Sequence, residues 1–172
     1  MILCLALFSL NAYSQEAIKF LGIPVDGTKR EMGAKLKAKG FEYNQSFDGY
    51  SGEFNGTDVL IQIQTVNNKV WRLFIVDKNT TDETNIKIRF NKLYDQFSSN
   101  GKYFLTGGEK ISESENISYK MTIDKKRYQV SFAPFQNSLN GQVWYMIGEQ
   151  LGEYVIVMFY ENLDNAANGD DL

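Results

Sequence analysis

Two stretches that each contain Val-Trp constrain the fold of this chain most strongly. Residues 68–76 read NKVWRLFIV and residues 140–147 read NGQVWYMI, and together they hold both tryptophans of the sequence. The first stretch is apolar on both alternating faces, which is typical of a strand in the middle of a sheet. One face would carry Trp71, Leu73 and Ile75, and the other Val70, Phe74 and Val76. The sequence therefore predicts a sheet organised around a strand that is used twice.

A short helix with both ends specified precedes the first of these strands. Thr28 and Glu31 have the spacing of a capping box, in which each side chain accepts a hydrogen bond from the other residue's backbone amide. Gly40 stands where a helix ends in a left-handed residue, and Phe41 after it would fold back onto Leu36. Asn55-Gly56 and Asn67-Asn68 then predict tight turns. The first half thus reads as a helix followed by a three- or four-stranded antiparallel meander.

The second half repeats this order with a longer helix. Ile86, Phe90, Leu93 and Phe97 form an apolar helical stripe that ends before Asn100-Gly101. We expect residues 106–115 to be a mobile loop because they are polar. Alternating apolar residues predict strands over 117–123 and 128–132, and a nearly all-apolar run predicts a last strand over 154–160.

The predicted fold class is α+β, with two tandem repeats of one helix followed by an antiparallel three- to four-stranded sheet and the helices on one face. The boundaries are a signal peptide at 1–14, a first half at 15–78, a second half at 79–161 and a flexible tail at 162–172. Trp71 would then correspond to Trp144, and Phe54 to Met121. A true duplication and mere similarity between alternating antiparallel strands both remain open.

The amino-terminal residues predict export. Residues 1–10 are apolar, uncharged and too short to span a bilayer, and Ala12-Tyr13-Ser14 offers small residues at a cleavage site. The alternative is a buried first strand. Cys4, the only cysteine, would leave with the signal, although a lipid anchor stays open if translation begins upstream of Leu3-Cys4. The expected location is therefore periplasmic or extracellular.

The residues that are missing exclude most catalytic chemistry. The chain has no histidine, so Ser-His-Asp or Cys-His catalysis and imidazole metal sites are excluded. A net charge of −3 without a basic face argues against nucleic acid as a partner. Glu113 and Glu115 could supply a carboxylate pair for sugar hydrolysis, but their serine neighbours favour a solvated loop. We expect no enzyme activity, no cofactor and no metal.

The aromatic residues leave two interpretations open. Trp71 and Trp144 could be core residues beneath the helices. Alternatively they could stand on the sheet face that one helix per half cannot cover, together with Tyr119, Tyr128 and Tyr145. Phe54 and Tyr154 are further aromatics that could join such a surface. The first function hypothesis is a binding module of the cell envelope that engages a protein or peptide through this face. A carbohydrate-binding accessory protein is the alternative, and a carboxylate-based hydrolase is the third.

Both ends of the chain also resemble known proteins. The segment FLGIPVDGT at 20–28, with Lys39-Gly40-Phe41, and the closing YEN at 160–162 with NGDDL at 168–172 resemble a group of small secreted proteins of Bacteroides-type bacteria, to which no activity is assigned. The helix-then-sheet order resembles, in fold only, the tandem domains of the β-lactamase-inhibitor-protein family and related periplasmic α+β modules. That family's cysteines are absent here and no inhibitory contact residue matches. The resemblance implies an exported, non-catalytic α+β module.

Overall fold

One antiparallel sheet of eight strands dominates this α+β fold. The computed structural model describes residues 17–135 and 140–166. The predicted signal peptide and residues 167–172 of the predicted tail lie outside the described residues.

Helices separate groups of one to four strands along the chain. The strands are β1 (Lys19–Phe20), β2 (Ile23–Pro24), β3 (Glu42–Asn44), β4 (Gly49–Phe54), β5 (Thr57–Val66), β6 (Lys69–Asp77), β7 (Tyr103–Gly107), β8 (Gln129–Pro134), β9 (Gly141–Gln150) and β10 (Glu153–Asn162). The helices are α1 (Lys29–Ala38), α2 (Glu83–Ser99), α3 (Ile117–Thr122) and α4 (Leu163–Ala166), with a 3₁₀ turn at Gln45–Phe47.

The strand order places β6 and β10 at the centre of the large sheet. The order is β3-β4-β5-β6-β10-β9-β8-β7, and β1 and β2 form a separate hairpin. Trp71 lies in β6, but Trp144 lies in β9, beside the central pair. The expected equivalence of the two Val-Trp strands is therefore wrong: by position in the sheet, β6 corresponds to β10 and β9 to β5.

The chemistry of its ends explains where α1 starts and stops. The Thr28 hydroxyl accepts from the Glu31 amide at 3.2 Å, and the Glu31 carboxylate accepts from the Thr28 amide at 2.9 Å. At the other end Gly40 has φ +93°, and the amide of Phe41 donates to the Leu36 carbonyl at 3.1 Å. Both predicted caps are confirmed.

The longer helix and the tight turns also follow the predictions. Asp82 is the N-cap of α2, and its carboxylate accepts from the Asn85 amide at 2.8 Å. The stripe of Ile86, Phe90, Leu93 and Phe97 is buried against the sheet. The four turn residues Asn55, Gly56, Asn67 and Asn68 all have positive φ, as two-residue hairpin turns require.

The predicted strand over 117–123 is instead the helix α3. Its N-cap, Asn116, accepts from the Tyr119 amide at 2.7 Å, and Glu83 of α2 accepts from the Ile117 amide at 2.8 Å. Ile117 is fully buried, whereas Tyr119 and Ile123 are exposed. The alternation of apolar residues therefore did not mark a buried face. Met121 accordingly lies in a helix and is not the counterpart of Phe54.

Two segments expected to be mobile are tied to the core. In the loop over 106–115, Asn91 of α2 donates to the Ile111 carbonyl and accepts from its amide, both at 2.8 Å. At the start of the predicted tail, buried Asn162 belongs to β10 and donates to the Val25 carbonyl at 2.8 Å. Asn165 in α4 donates to the Val70 carbonyl at 2.8 Å. Side-chain amides that replace missing backbone partners hold both segments.

Both long helices cover the same face of the sheet. Buried Tyr145 of β9 donates from its hydroxyl to the Phe90 carbonyl of α2 at 3.1 Å. On the other half, Gly33 lets α1 approach Tyr50 of β4 so closely that an added Cβ would lie 1.9 Å from the tyrosine oxygen. The core therefore lies between one sheet face and the two helices, and the opposite face is left to the sheet's own side chains.

Candidate binding surface on the open sheet face

The sheet face turned away from α1 and α2, called the open face below, is apolar at its centre. Along the central strands, every second side chain is buried beneath the helices and the intervening ones are half-buried. One row across the strands, read from the register, consists of Leu60, Val76, Val157 and Met146. A half-buried apolar row in the middle of a sheet is a surface that a further layer could cover.

A second row is aromatic. It runs through Gln62, Phe74, Phe159, Trp144 and Ser131. The Trp144 and Phe159 rings are stacked, with centroids 3.9 Å apart and planes at 18°. Phe74 meets Phe159 edge-on at 5.5 Å. These contacts hold the three rings in place, so the surface is preorganised and not merely exposed.

A β-bulge brings Trp71 to the same face. The register shifts in β5 between Gln64 and Thr65, opposite Arg72 and Val70 of β6, which leaves Trp71 as the extra residue. Val70 is consequently buried with Leu73, and the Arg72 guanidinium lies 3.9 Å from the centre of the Trp71 ring. The expected alternation, with Trp71 on the face of Leu73, is wrong because a bulge breaks the period of two.

A charge pair closes one end of the surface. Arg72 forms an ion pair with Glu161, a carboxylate that is almost fully buried, and its guanidinium also lies 5.0 Å from the centre of the Phe159 ring. Gln142 donates to the second Glu161 oxygen. Among the described residues, Arg72 Nε and Glu161 Oε1 lack an aligned hydrogen bond beyond the ion pair. The pair therefore retains unsatisfied polar capacity at the edge of an apolar face.

The three predicted tyrosines do not stand on the open face. Tyr145 lies beneath α2, where burial raises the pKa of its hydroxyl. Tyr128 is buried beside the loop, and its hydroxyl donates to Glu115 at 2.7 Å. Tyr119 is 54% exposed but projects from α3. The expectation that these residues share a surface with Trp71 and Trp144 is wrong.

Other residues of the open face went unnoticed in the sequence. Phe74, Phe159, Arg72 and Glu161 join the two tryptophans there, although the sequence pattern did not indicate any of them as a binding residue. An arginine inside an apolar strand and a glutamate directly after one were the available signals. Arg72 and Glu161 pair, however, only because β6 lies next to β10 in the sheet, and the sequence pattern does not specify that order.

In the loop, the carboxylate of Glu115 is bonded to neighbouring side chains. Glu115 accepts from Lys126 at 2.7 Å, and this bond, followed by the one from Tyr128, holds the pKa of Glu115 below its ordinary value. Glu113 contributes only its backbone carbonyl, to Lys87. A general acid of a glycosidase needs a raised pKa instead. Within 17–135 and 140–166, no cluster of three or more acidic or cysteine side chains could hold a metal ion.

Comparison with known proteins found no significant similarity. No family model matches the chain, and no curated protein or solved structure is significantly similar to it. In the part of the chain that the structure describes, no helix combines the length and apolarity needed to cross a membrane.

Proposed function

We propose that this chain is an exported, non-enzymatic binding module that engages a protein partner through the open face. The observation that carries the proposal is the apolar centre of that face. There Val157 lies between Val76 and Met146, on the side of the sheet away from the helices. Removing apolar surface from water contributes about 25 cal/mol for each Å² to a complex, which offsets part of the free-energy cost of association. A partner's apolar patch would cover the central aliphatic row, and its polar rim would lie against the Arg72–Glu161 ion pair at the end of the open face.

A protein surface suits this face better than a sugar. Sugar binding by aromatic platforms uses a free ring face with polar groups converging beside it. Here one face of Trp144 is stacked on Phe159, and Arg72 lies over Trp71. The neighbouring positions in the central row are aliphatic. Carbohydrate binding remains the alternative, because the second face of each tryptophan ring could still stack on a pyranose.

Two broader parts of the proposal concern architecture and location. We propose that the two halves are tandem repeats, supported by the mirrored strand order about β6 and β10 and by one long helix from each half. The contacts of α1 with β3, β5 and β6, and of α2 with β7, β9 and β10, support the same pairing of helix and sheet. Export to the periplasm or beyond rests on residues 1–14 and places the partner in the cell envelope.

A charge placed at the centre of the open face tests the function. The whole chain is immobilised and used to capture proteins from the cell envelope, in parallel with Val157→Lys and the matched control Ile88→Lys. Ile88 is 61% exposed on α2 and lies away from the open face. The partner must be retained by the control and lost by Val157→Lys, since an ammonium group would be desolvated beneath it.

Two outcomes would contradict the proposal. A partner retained equally by Val157→Lys would place the interface elsewhere. Saturable binding of a glycan that Trp144→Ala abolishes, without any captured protein, would favour the carbohydrate alternative. Sedimentation equilibrium of the same variants identifies the remaining case, in which the partner is a second copy of this chain.

A further inference from the structure

A cavity of about 310 Å³ opens on the helix side of the sheet, at the C-terminal end of α2. It lies between the β1–β2 turn, the β4–β5 turn and the start of β7. The residues that line it are Lys19, Leu21, Gly22, Phe54, Asn55, Gln96, Phe97, Asn100, Lys102, Tyr103 and Tyr160. This volume lies at the small end of the range for ligand pockets.

The floor of this cavity is aromatic with one unused polar group. Tyr160 of β10 is 5% exposed, and no hydrogen bond of its hydroxyl is found among the described residues. Burial raises the pKa of Tyr160, and the nearby Tyr103 raises it further, so the hydroxyl keeps its proton. The hydroxyl oxygen keeps access to the cavity, where water or a bound group can satisfy it. The residue thus offers a hydrogen bond into the cavity.

The walls are held rigid by amide contacts. Asn55 and Gln96 exchange hydrogen bonds through their side-chain amides, which joins the β4–β5 turn to α2. On the opposite side, the Asn100 side chain accepts from the Lys102 amide at 3.2 Å. Phe97 and Tyr103 meet edge-on at 5.4 Å. The pocket is therefore formed before any ligand arrives.

The β1–β2 turn lines one side of the cavity. Leu21 has φ +50° and Gly22 has φ +80°. A left-handed conformation is ordinary for glycine but unfavourable for leucine. Leu21 is also one of the more exposed large apolar residues. Both residues form the two-residue β1–β2 turn, which requires positive φ at each position and sets the Leu21 side chain beside the cavity.

The charges of the lining residues select the ligand. Lys19 and Lys102 are the charged residues in the lining, and no aspartate or glutamate is among them. Lys102 is exposed at the rim, and a cation beside an aromatic cavity attracts an anion with an apolar body. An aromatic body would also pack against Phe54 and Phe97.

We propose that this cavity, the Tyr160 pocket, binds a small aromatic carboxylic acid. The ring lies between Phe54 and Phe97, the carboxylate faces Lys102 at the rim, and a polar substituent at the far end accepts the hydrogen bond of Tyr160. This site is separate from the open face and does not depend on the protein partner proposed for that face.

The probe is 4-hydroxybenzoate, titrated calorimetrically into the whole chain. We expect a dissociation constant between about 10 μM and 1 mM, as suits a ligand of this size. Tyr160→Phe removes only the unpartnered hydroxyl, so the fold is retained and affinity should fall by about tenfold. Tyr154→Phe is the matched control, because Tyr154 is a buried tyrosine of the same strand outside the cavity lining.

A second comparison tests the charge. The wild-type chain should prefer 4-hydroxybenzoate over its neutral methyl ester, and Lys102→Gln should reduce that preference severalfold. Absence of saturable binding at millimolar concentration overturns the proposal. So does a Tyr160→Phe variant that binds as tightly as the Tyr154→Phe control.

Discussion

The ion pair between Asp77 and Arg89 offers the sharpest test of how the sheet holds α2. Arg89 donates from Nε and Nη2 to the two carboxylate oxygens of Asp77, at 3.0 Å and 2.8 Å. The Ile156 amide donates to Asp77 as well, at 3.3 Å. The Asp77 side chain is 8% exposed and that of Arg89 14%. Removing Arg89 would leave a buried carboxylate with one weak donor.

The magnitude follows from this burial. Breaking a fully buried pair costs about 3–5 kcal/mol, and the remaining exposure of Arg89 favours the lower end of that range. We therefore expect Arg89→Met, which keeps the aliphatic stem, to lower the free energy of unfolding by about 3 kcal/mol. Asp77→Asn should cost about 2 kcal/mol, because the freed guanidinium can turn toward water. The double variant should cost no more than Arg89→Met alone.

Urea denaturation of the four chains measures the coupling directly. The control is Lys110→Met, which breaks the exposed pair of Lys110 with Asp95 on the same helix and should cost less than about 1 kcal/mol. If the Asp77 and Arg89 substitutions are additive, the pair contributes no coupling energy. That result, or an Arg89→Met cost as small as the control's, would refute the reasoning.

Three further predictions concern local structure. The hydrogen bond from the Thr28 amide holds the pKa of Glu31 below its ordinary 4.5. The resulting stabilisation of the fold is complete above that value and is lost as the pH falls through the lowered pKa. Glu31→Gln should therefore lower the free energy of unfolding at pH 7 but much less in acid, as measured by urea titration. Replacing glycine by alanine in a helix interior usually stabilises a protein by about 1 kcal/mol. Gly33→Ala should instead lower the melting temperature, because the new Cβ meets the Tyr50 side chain, and adding Tyr50→Leu should reverse the loss. Asn116→Ala should cost about 1 kcal/mol and speed amide exchange in α3 without affecting α2.

The features predictable from sequence are those that depend on neighbouring residues. The caps of α1 and the turn at Asn55-Gly56 follow from side-chain and backbone chemistry within a few positions, and the structure has them where expected. The apolar stripe of α2 is equally local, since four residues at helical spacing define one face. The prediction that the chain is α+β rests on these signals.

The failures arise where distant contacts decide. The helix α3 forms because Glu83, more than thirty positions away, caps it alongside Asn116. Counting that segment as a strand shifted every later strand by one place and made Trp144 the apparent counterpart of Trp71. The bulge at Trp71 likewise changed the predicted faces of β6, because one extra residue moves the residues before it to the opposite face of the sheet. Periodicity alone reveals neither event.

The two proposed sites share one strand. Phe159 of β10 belongs to the aromatic row of the open face, and Tyr160, its neighbour, forms the floor of the pocket on the helix side. Adjacent residues of a strand point to opposite faces, so a single strand can serve two chemically different surfaces. Substitutions that only remove a hydroxyl, such as Tyr160→Phe, alter one surface without moving the backbone of the other. A loss of both activities in that variant would therefore indicate damage to β10, whereas separate losses in Val157→Lys and Tyr160→Phe would assign each surface its own ligand.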